Sequence, residues 1–259
     1  MKQGFPFPLL ILNCTVMLLI MLSSCTAPKP NTKPVPKAAI IDQLYTLQPN
    51  EAFISEVTQQ LGSYGFGVDV YHGDEVNVKF YRKLPSYGYK LILFRVHSGI
   101  LIKEGKFAQG TWLFTSEPYS LLKYTDERLT DKILKARTAK HQPWVFAIGS
   151  DFITSSMEGQ FDGTVIIMMG CHSLSIDDLA EAFIKKGSST YVGWNENLDI
   201  DYVDNATIRL VEDLSLNDMT IKQAADKVMS YMGAGPLYGA RLKYYPFESA
   251  SLTLRQIVN

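Results

Sequence analysis

The chain has 259 residues, a formal net charge of −1 and 46% hydrophobic residues. Acidic and basic residues are nearly balanced and no basic stripe stands out, so we expect no nucleic-acid partner. Most of the chain is available for one sizeable domain with a buried core, and no internal repeat is visible.

The N-terminus has the pattern of an exported protein. Lys2 precedes a long apolar run that ends in "LSSC", a small-residue cleavage site before Cys25. This ending resembles a lipobox, which predicts a lipoprotein signal peptide over residues 1–24 and a lipid on Cys25. An uncleaved transmembrane anchor is the alternative, because the run is long enough to span a bilayer. Both interpretations hold the rest of the chain at a membrane of the cell envelope, outside the cytoplasm.

A linker over residues 25–37 follows the signal. It is rich in Pro and Lys, and such a sequence cannot enter the interior of a helix or a sheet. We therefore expect a semi-extended spacer that lifts a folded domain, residues 38–259, off the bilayer.

Strand and helix patterns alternate through the folded domain. In chain order they predict a strand over 37–45, a helix over 50–65, strands over 66–72 and 89–99, a strand ending before Cys171, a helix over 177–187, a strand over 189–194 and two helices over 204–233. A further helix is predicted to start at Asp74, a candidate N-cap, and to stop at Pro85. This alternation is typical of an α/β domain with a mostly parallel sheet and helices on both faces.

The segment between residues 105 and 170 is too long for a simple crossover connection. It contains "GTWLFTSEPYS" and "PWVFAIGSDFI", two strand-like stretches that could pair as a hairpin. We expect this excursion to lie beside the functional edge of the sheet and to shape a substrate cleft there.

The cysteine count singles out Cys171. The chain has three cysteines, of which Cys14 would leave with the signal and Cys25 would carry the lipid. Exported domains that keep cysteines usually pair them, and Cys171 has no partner in the folded domain. Cys171 is therefore either an inert buried residue or a nucleophile.

His97 provides a base that could activate Cys171. His97 follows the apolar strand "LILFRV", and Cys171 follows "VIIMMG". Chemistry in open α/β sheets collects at the carboxyl ends of the strands, so neighbouring strands would bring the two side chains together. The imidazole would then take the thiol proton, and the thiolate would attack a carbonyl carbon. Gly99 and Gly170 permit close backbone approach, which could offer N–H groups to an oxyanion.

The other histidines are weaker candidates. His72 follows a strand and could line the same edge or be structural, and His141 lies in a polar loop where we expect solvation. His172 follows Cys171 directly, and in an extended segment its side chain would point the other way. No Cys or His cluster has the spacing of a zinc site, and no glycine motif fits a nucleotide, so we expect neither metal nor cofactor.

At these two strand ends the sequence resembles the caspase-like cysteine peptidases of clan CD. From "GCHSLSIDDLAEAF" onward it resembles the CHAT group, which includes separase-like proteins. The resemblance implies a caspase-like fold with Cys171 as nucleophile and His97 as general base and acid. It also implies an oxyanion hole built from backbone N–H groups around Ser98, Gly99 and Gly170.

One residue departs from the family pattern, and it supports an alternative function. Ser98 stands between His97 and Gly99, where the family usually has glycine directly after histidine. The first interpretation is a membrane-anchored cysteine endopeptidase acting on a peptide or protein. The alternative is a catalytically inactive caspase-like domain that serves as a binding or scaffold lipoprotein.

The loop "WNENLDIDYVDN" suggests a substrate preference. It follows the strand next to the predicted nucleophile and contains Trp194, Asp199 and Asp201. In the family, this neighbourhood helps to form the pocket for the residue before the scissile bond. An acid there would pair with a cation, and the planar guanidinium suits a carboxylate better than an ammonium does. The sequence therefore predicts cleavage after basic residues, Arg over Lys.

Overall fold

The computed structural model describes residues 34–103 and 106–258, together with Met1 and Gly4. Apart from Met1 and Gly4, the predicted signal peptide lies outside the described residues, and so do the predicted lipidation site Cys25 and most of the linker. Residues 35–259 form one compact unit. Within the described part of the chain, no helix combines the length and the apolar character needed to cross a membrane.

Strands and helices alternate as the sequence predicts. The strands are β1 (Lys37–Asp42), β2 (Gly67–His72), β3 (Tyr89–Arg95), β4 (Ser98–Lys103), β5 (Lys106–Pro118), β6 (Ile133–Ala136), β7 (Val145–Ile148), β8 (Val165–Met168), β9 (Thr190–Trp194) and β10 (Leu242–Tyr245). The helices are α1 (Glu51–Tyr64), α2 (Val78–Lys83), α3 (Thr125–Leu129), α4 (Ser150–Ser155), α5 (Asp178–Lys185), α6 (Ile200–Ser215), α7 (Ile221–Met232) and α8 (Leu254–Val258). Short 3₁₀ helices cover 73–75, 84–87 and 247–251.

The described residues form two sheets. The main sheet has the order β10-β9-β8-β3-β1-β2, and its strands pair in parallel except for the antiparallel pair β9 and β10. The second sheet has the order β4-β5-β7-β6 and is antiparallel. The predicted α/β class with a mostly parallel sheet is therefore confirmed.

Helices cover both faces of the main sheet, as predicted. Along β3, Leu91 and Leu93 belong to one core cluster while Ile92 and Phe94 belong to the other, because successive strand residues point to opposite faces. Helices α1, α6 and α7 supply the first cluster, and helices α4 and α5 supply the second. This double burial explains why β3 and β8 are continuous apolar runs.

The predicted helix at Asp74 begins later than expected. Asp74 lies in a 3₁₀ turn, and the N-cap of α2 is Asn77, whose side-chain oxygen accepts a hydrogen bond from Phe80 N at 3.0 Å. Asn caps a helix as well as Asp does, so the type of the capping residue does not by itself fix where the helix starts. Pro85 enters a 3₁₀ helix that continues the chain after α2.

The strand predicted over 89–99 is divided between the two sheets. β3 ends at Arg95, whose carbonyl accepts hydrogen bonds from the backbone N–H groups of Gln43 and Leu44 at 3.1 and 3.4 Å. The segment after β1 therefore closes over the end of β3. His97 lies at the junction, and Ser98 begins β4 of the second sheet.

The excursion between the two halves of the main sheet forms most of the second sheet. β5 and β7 pair antiparallel, as the two strand-like stretches predict. They are not a hairpin, because β6 lies between them in the chain and occupies the edge beyond β7. Residues 150–153 of the second stretch begin helix α4 instead of extending the strand.

Candidate active site

A cavity of about 260 Å³ is lined by both His97 and Cys171. It lies where β3 and β8 end, and these strands are parallel neighbours in the main sheet. The prediction that the two strands are adjacent is therefore confirmed. Both residues reach the cavity because each lies just beyond the carboxyl end of its strand.

The Cys171 thiol is free and partly buried. Its sulfur accepts a hydrogen bond from the backbone N–H of Leu198 at 3.3 Å. Burial raises the pKa of the thiol above its usual range, and the hydrogen bond from Leu198 opposes this only in part. At neutral pH the resting residue is therefore a thiol rather than a thiolate.

The backbone around Cys171 is held in a tight turn. The Ser98 hydroxyl donates a hydrogen bond to the Cys171 carbonyl at 2.6 Å. A Cβ added to Gly170 would lie 2.1 Å from that hydroxyl oxygen, so only glycine fits there. His172 has a φ of 54°, a left-handed conformation that costs energy for a non-glycine residue, and its N–H donates to Glu196 O at 3.0 Å.

These contacts give Ser98 a structural role beside the nucleophile. Its side chain is occupied by the Cys171 carbonyl, so any oxyanion contact from this residue would have to come from its backbone. Gly99 lies farther along β4, opposite Trp112, and is not among the described residues that line the cavity. An oxyanion hole formed by Ser98, Gly99 and Gly170 stays a prediction.

His97 is fixed by its own backbone. Its N–H donates to the side-chain oxygen of Gln43 at 2.9 Å, and its carbonyl accepts from Phe114 N at 3.0 Å. Burial and, to a smaller extent, the positive charge of Arg95 lower the pKa of the imidazole to about 4. At neutral pH His97 is therefore uncharged and able to accept a proton.

The lowered pKa of His97 predicts an acid-sensitive fold. Because its pKa is about 4 in the folded chain and about 6.5 in an unfolded one, the unfolded state binds more protons between these values. Stability should therefore fall as the pH drops through this window, with a contribution of at most about 3 kcal/mol from His97. We expect His97→Gln to make the decline shallower, measured by urea unfolding between about pH 7 and about pH 4.

The exposed His141 offers a matched control for this measurement. His141→Gln removes an imidazole that is not buried, so its decline should match that of the unchanged chain. If the free energy of unfolding of His97→Gln fell with pH as steeply as that of His141→Gln, His97 would not be the group that takes up the proton on unfolding.

A buried ion-pair network lies directly beneath the site. Arg95 donates to Asp42 Oδ1 at 3.0 Å and, through two nitrogens, to both carboxylate oxygens of Asp204 at 3.0 Å. Asn50 adds a bond to Asp204 at 2.8 Å. Burial raises the pKa of Asp42, against the opposing effect of Arg95, and its Oδ2 has no hydrogen-bond partner among the described residues.

The predicted substrate-binding residues take three different positions. Asp199 lines the cavity and is the N-cap of α6, where its side chain accepts from Tyr202 N at 3.1 Å. Asp201 is exposed and lies outside the described lining of the cavity. Trp194 is 1% exposed and packs in the core against the ring of Tyr202. The buried position of Trp194 does not support a substrate contact, because its ring is enclosed in the core.

The remaining histidines are not among the described residues that line the cavity. The ring of His72 packs on Tyr45 at 4.4 Å, and its buried Nδ1 has no partner in the part of the chain that the structure describes. The Nδ1 of His172 contacts the hydroxyl of Ser175 at 2.9 Å. Over residues 34–103 and 106–258, no group of three or more His, Cys, Asp or Glu residues could hold a metal ion.

A second cavity, of about 110 Å³, borders His97 from the side of the second sheet. Phe114, Ser116, Arg137 and Val145 line it together with residues that follow β1. This part of the excursion therefore lies beside His97, but no described residue between 106 and 168 lines the cavity that holds Cys171, so a substrate cleft shaped by the excursion stays a prediction.

Compared with protein-family models and with curated proteins, the sequence matches no family model and no curated protein.

Proposed function

We propose that the chain is a caspase-like cysteine endopeptidase of the CHAT type, attached to a membrane through a lipid on Cys25 and facing outside the cytoplasm. The observation that carries this proposal is the shared cavity. Cys171 and His97 both line it, at the ends of two neighbouring parallel strands. A free thiol and an imidazole that is neutral at pH 7 are the two groups that nucleophilic acyl transfer requires, and the residues that carry them line one cavity.

The reaction would proceed in two stages. His97 takes the proton of Cys171 while the sulfur bonds to the peptide carbonyl carbon, which places a negative charge on the carbonyl oxygen. As this intermediate collapses, the carbon–nitrogen bond breaks and His97 gives its proton to the departing amine. Water then attacks the thioester carbonyl carbon while His97 takes a proton from it. The carbon–sulfur bond breaks, the carboxylic acid is released, and His97 returns the proton to the sulfur.

The charge state of the resting pair determines how the thiol is activated. The pKa of Cys171 is raised by burial and that of His97 is lowered to about 4, so a stable thiolate–imidazolium pair does not form without substrate. Proton transfer must then accompany attack on a carbonyl. Simple alkylation of the resting thiol should accordingly be slow near neutral pH, while attack on a bound carbonyl should be fast.

The alternative is an inactive caspase-like scaffold, and one observation favours it. Ser98 is the residue that departs from the family pattern, and its hydroxyl donates a hydrogen bond to the Cys171 carbonyl at 2.6 Å. In this case the thiol would be a buried structural residue that His97 does not activate.

A pair of electrophiles distinguishes the two functions. Iodoacetamide reports only thiolate character, whereas a peptidyl acyloxymethyl ketone also requires that its carbonyl be bound at the site. In the ketone reaction the sulfur bonds to carbon, a carboxylate leaves with the electron pair, and the thiol proton passes to His97. The ketones carry Leu, Arg or Asp beside the reactive carbon, and for each the measured quantity is its labelling rate divided by the rate of iodoacetamide. We expect this ratio to be at least about tenfold higher for Cys171 than for N-acetylcysteine with at least one of the ketones. Mass spectrometry of the cysteine-containing peptides of the full-length protein, which separates Cys171 from Cys14 and Cys25, measures both rates.

His97→Ala should remove this advantage without blocking iodoacetamide, because the base is needed only for attack on the carbonyl. His141→Ala is the matched control and should keep the advantage. Equal rate ratios for Cys171 and N-acetylcysteine across the whole ketone series, with no effect of His97→Ala, would reject the peptidase and support the scaffold.

A further inference from the structure

The cavity that holds Cys171 has mostly apolar walls. Its aliphatic lining residues come from five different parts of the chain, and they are Leu44, Val96, Met169, Leu198, Ile200, Val203 and Leu237. Its volume of about 260 Å³ is below the range of about 300–1,000 Å³ that is usual for cavities holding whole small molecules. The cavity therefore suits a single side chain of a longer ligand.

The only acidic residue among the described lining residues is already in use. The Asp199 carboxylate caps α6 by accepting a hydrogen bond from Tyr202 N at 3.1 Å. The N-terminus of this 16-residue helix also stabilises the negative charge. A substrate cation would have to share that carboxylate with the helix, and it would lose its water against aliphatic walls.

The outer wall is a glycine-bounded loop between α7 and β10. The backbone N–H of Gly235 donates to Ala240 O and that of Gly239 donates to Gly235 O, both at 2.8 Å, which closes the base of the loop. Gly239 has a φ of 70°, a conformation that glycine adopts without strain. The tip presents Leu237 and Tyr238, which are 67% and 54% exposed although both border the cavity.

The two walls are tied to each other. The Asn195 side-chain oxygen accepts from Arg241 N at 2.7 Å, which joins the base of the glycine-bounded loop to the segment that leads to Leu198. The Tyr202 hydroxyl donates to Gly233 O at 2.7 Å, which joins α6 to the start of the same loop. The cavity is thus a fixed slot with exposed apolar side chains at its opening. A ligand that binds a fixed slot loses little free energy to the ordering of the protein.

We propose that this slot selects an apolar side chain, such as that of Leu or Met, in the substrate residue next to the bond that Cys171 attacks, with Leu237 as a specificity-determining residue. This inference rests on the proposed peptidase function and replaces the preference for basic residues that the acids of the sequence suggest. An apolar side chain in the slot would cover Leu237 and Tyr238 and leave Asp199 to cap α6.

The ketone series also tests this inference, with the full-length protein and probes that differ only in the side chain beside the reactive carbon. We expect the Leu probe to label Cys171 roughly ten- to a hundredfold faster than the Arg or Asp probe, the range that burying one aliphatic side chain produces. Leu237→Ser should slow the Leu probe several-fold and leave the Arg probe unchanged. Leu121, which is 71% exposed in a loop away from the cavity, offers the matched control, and Leu121→Ser should leave all rates unchanged.

Failure of this inference differs from failure of the proposed function. Faster labelling by the Arg probe that depends on His97 and is lost in Asp199→Asn would overturn the apolar slot and leave the peptidase standing. An equal effect of Leu237→Ser on every probe would show that the loop does not read the side chain and would also overturn it. If the ratio of ketone to iodoacetamide rates is no higher for Cys171 than for N-acetylcysteine with any probe, and His97→Ala does not change it, both the peptidase function and the apolar slot are rejected.

Discussion

Cys171→Ser is expected to lower peptide hydrolysis by about 10⁴-fold or more, because a serine hydroxyl keeps the shape of the site but is a far weaker nucleophile without strong activation. The measurement is kcat/KM for an internally quenched peptide built on the best side chain of the ketone series. Since Ser98 and Leu198 position the residue through backbone groups and the sulfur, the near-isosteric change should leave the fold intact. The thermal unfolding midpoint should accordingly move little.

His97→Gln should cause a loss of similar size, and the double variant should be no worse than either single one. The nucleophile and its base act as a unit, so removing the second adds little once the first is gone. His141→Gln, at an exposed position, should retain full activity. Multiplying losses in the double variant would mean that Cys171 and His97 act independently, which a dyad does not allow.

The pattern of the main sheet could be predicted from the sequence because its strands are strongly apolar. β3 and β8 read as buried runs, and the helices between strands show clear apolar faces. The second sheet was harder to predict. Its strands carry polar residues and pair across long sequence separations, as in the contact of β5 with β7, which a pattern within one segment cannot reveal.

The end of β3 illustrates the same limit at the site. An apolar pattern through Val96 and a polar pair after it predicted one strand that delivers His97. What ends the strand is the closure of Gln43 and Leu44 over the Arg95 carbonyl, a contact between segments about 50 residues apart. The sequence could place His97 at the right edge of the sheet, but not at the junction of two sheets.

Arg95 is the signal that sequence reasoning missed. It stands in the otherwise apolar stretch "LILFRV", and a charged residue inside a buried strand almost always has a buried partner. Asp42, at the end of the neighbouring strand, and Asp204, on the apolar face of α6, are those partners. Their contribution depends on long-range packing, so the sequence alone could suggest that a partner exists but not which residue it is.

Arg95→Met is expected to lower the free energy of unfolding by about 3–5 kcal/mol at neutral pH. The arginine is 1% exposed and offsets two buried carboxylates, so its removal leaves Asp42 and Asp204 without their counter-charge. The loss is a large fraction of the roughly 5–15 kcal/mol that stabilises an ordinary domain. Urea unfolding of the full-length protein, followed by tryptophan fluorescence, measures it.

The exposed pair Lys185–Glu181 provides the matched control, with side chains 68% and 47% exposed. Lys185→Met breaks one ion pair in water and should cost less than about 1 kcal/mol. Neutralising the buried acids as well, in Arg95→Met with Asp42→Asn and Asp204→Asn, should recover part of the stability, because no unpaired buried charge then remains. If the single Arg95 variant were as stable as the Lys185 variant, water would have to reach the two carboxylates, and Arg95 could not be the charge that lowers the pKa of His97.

The pH profile of kcat/KM tests the same charge. With Arg95 buried, its removal takes away the positive charge beside the imidazole, so the decline of kcat/KM at acidic pH should move to higher pH in Arg95→Met. If water reaches the carboxylates, the decline should occur at the same pH with and without Arg95.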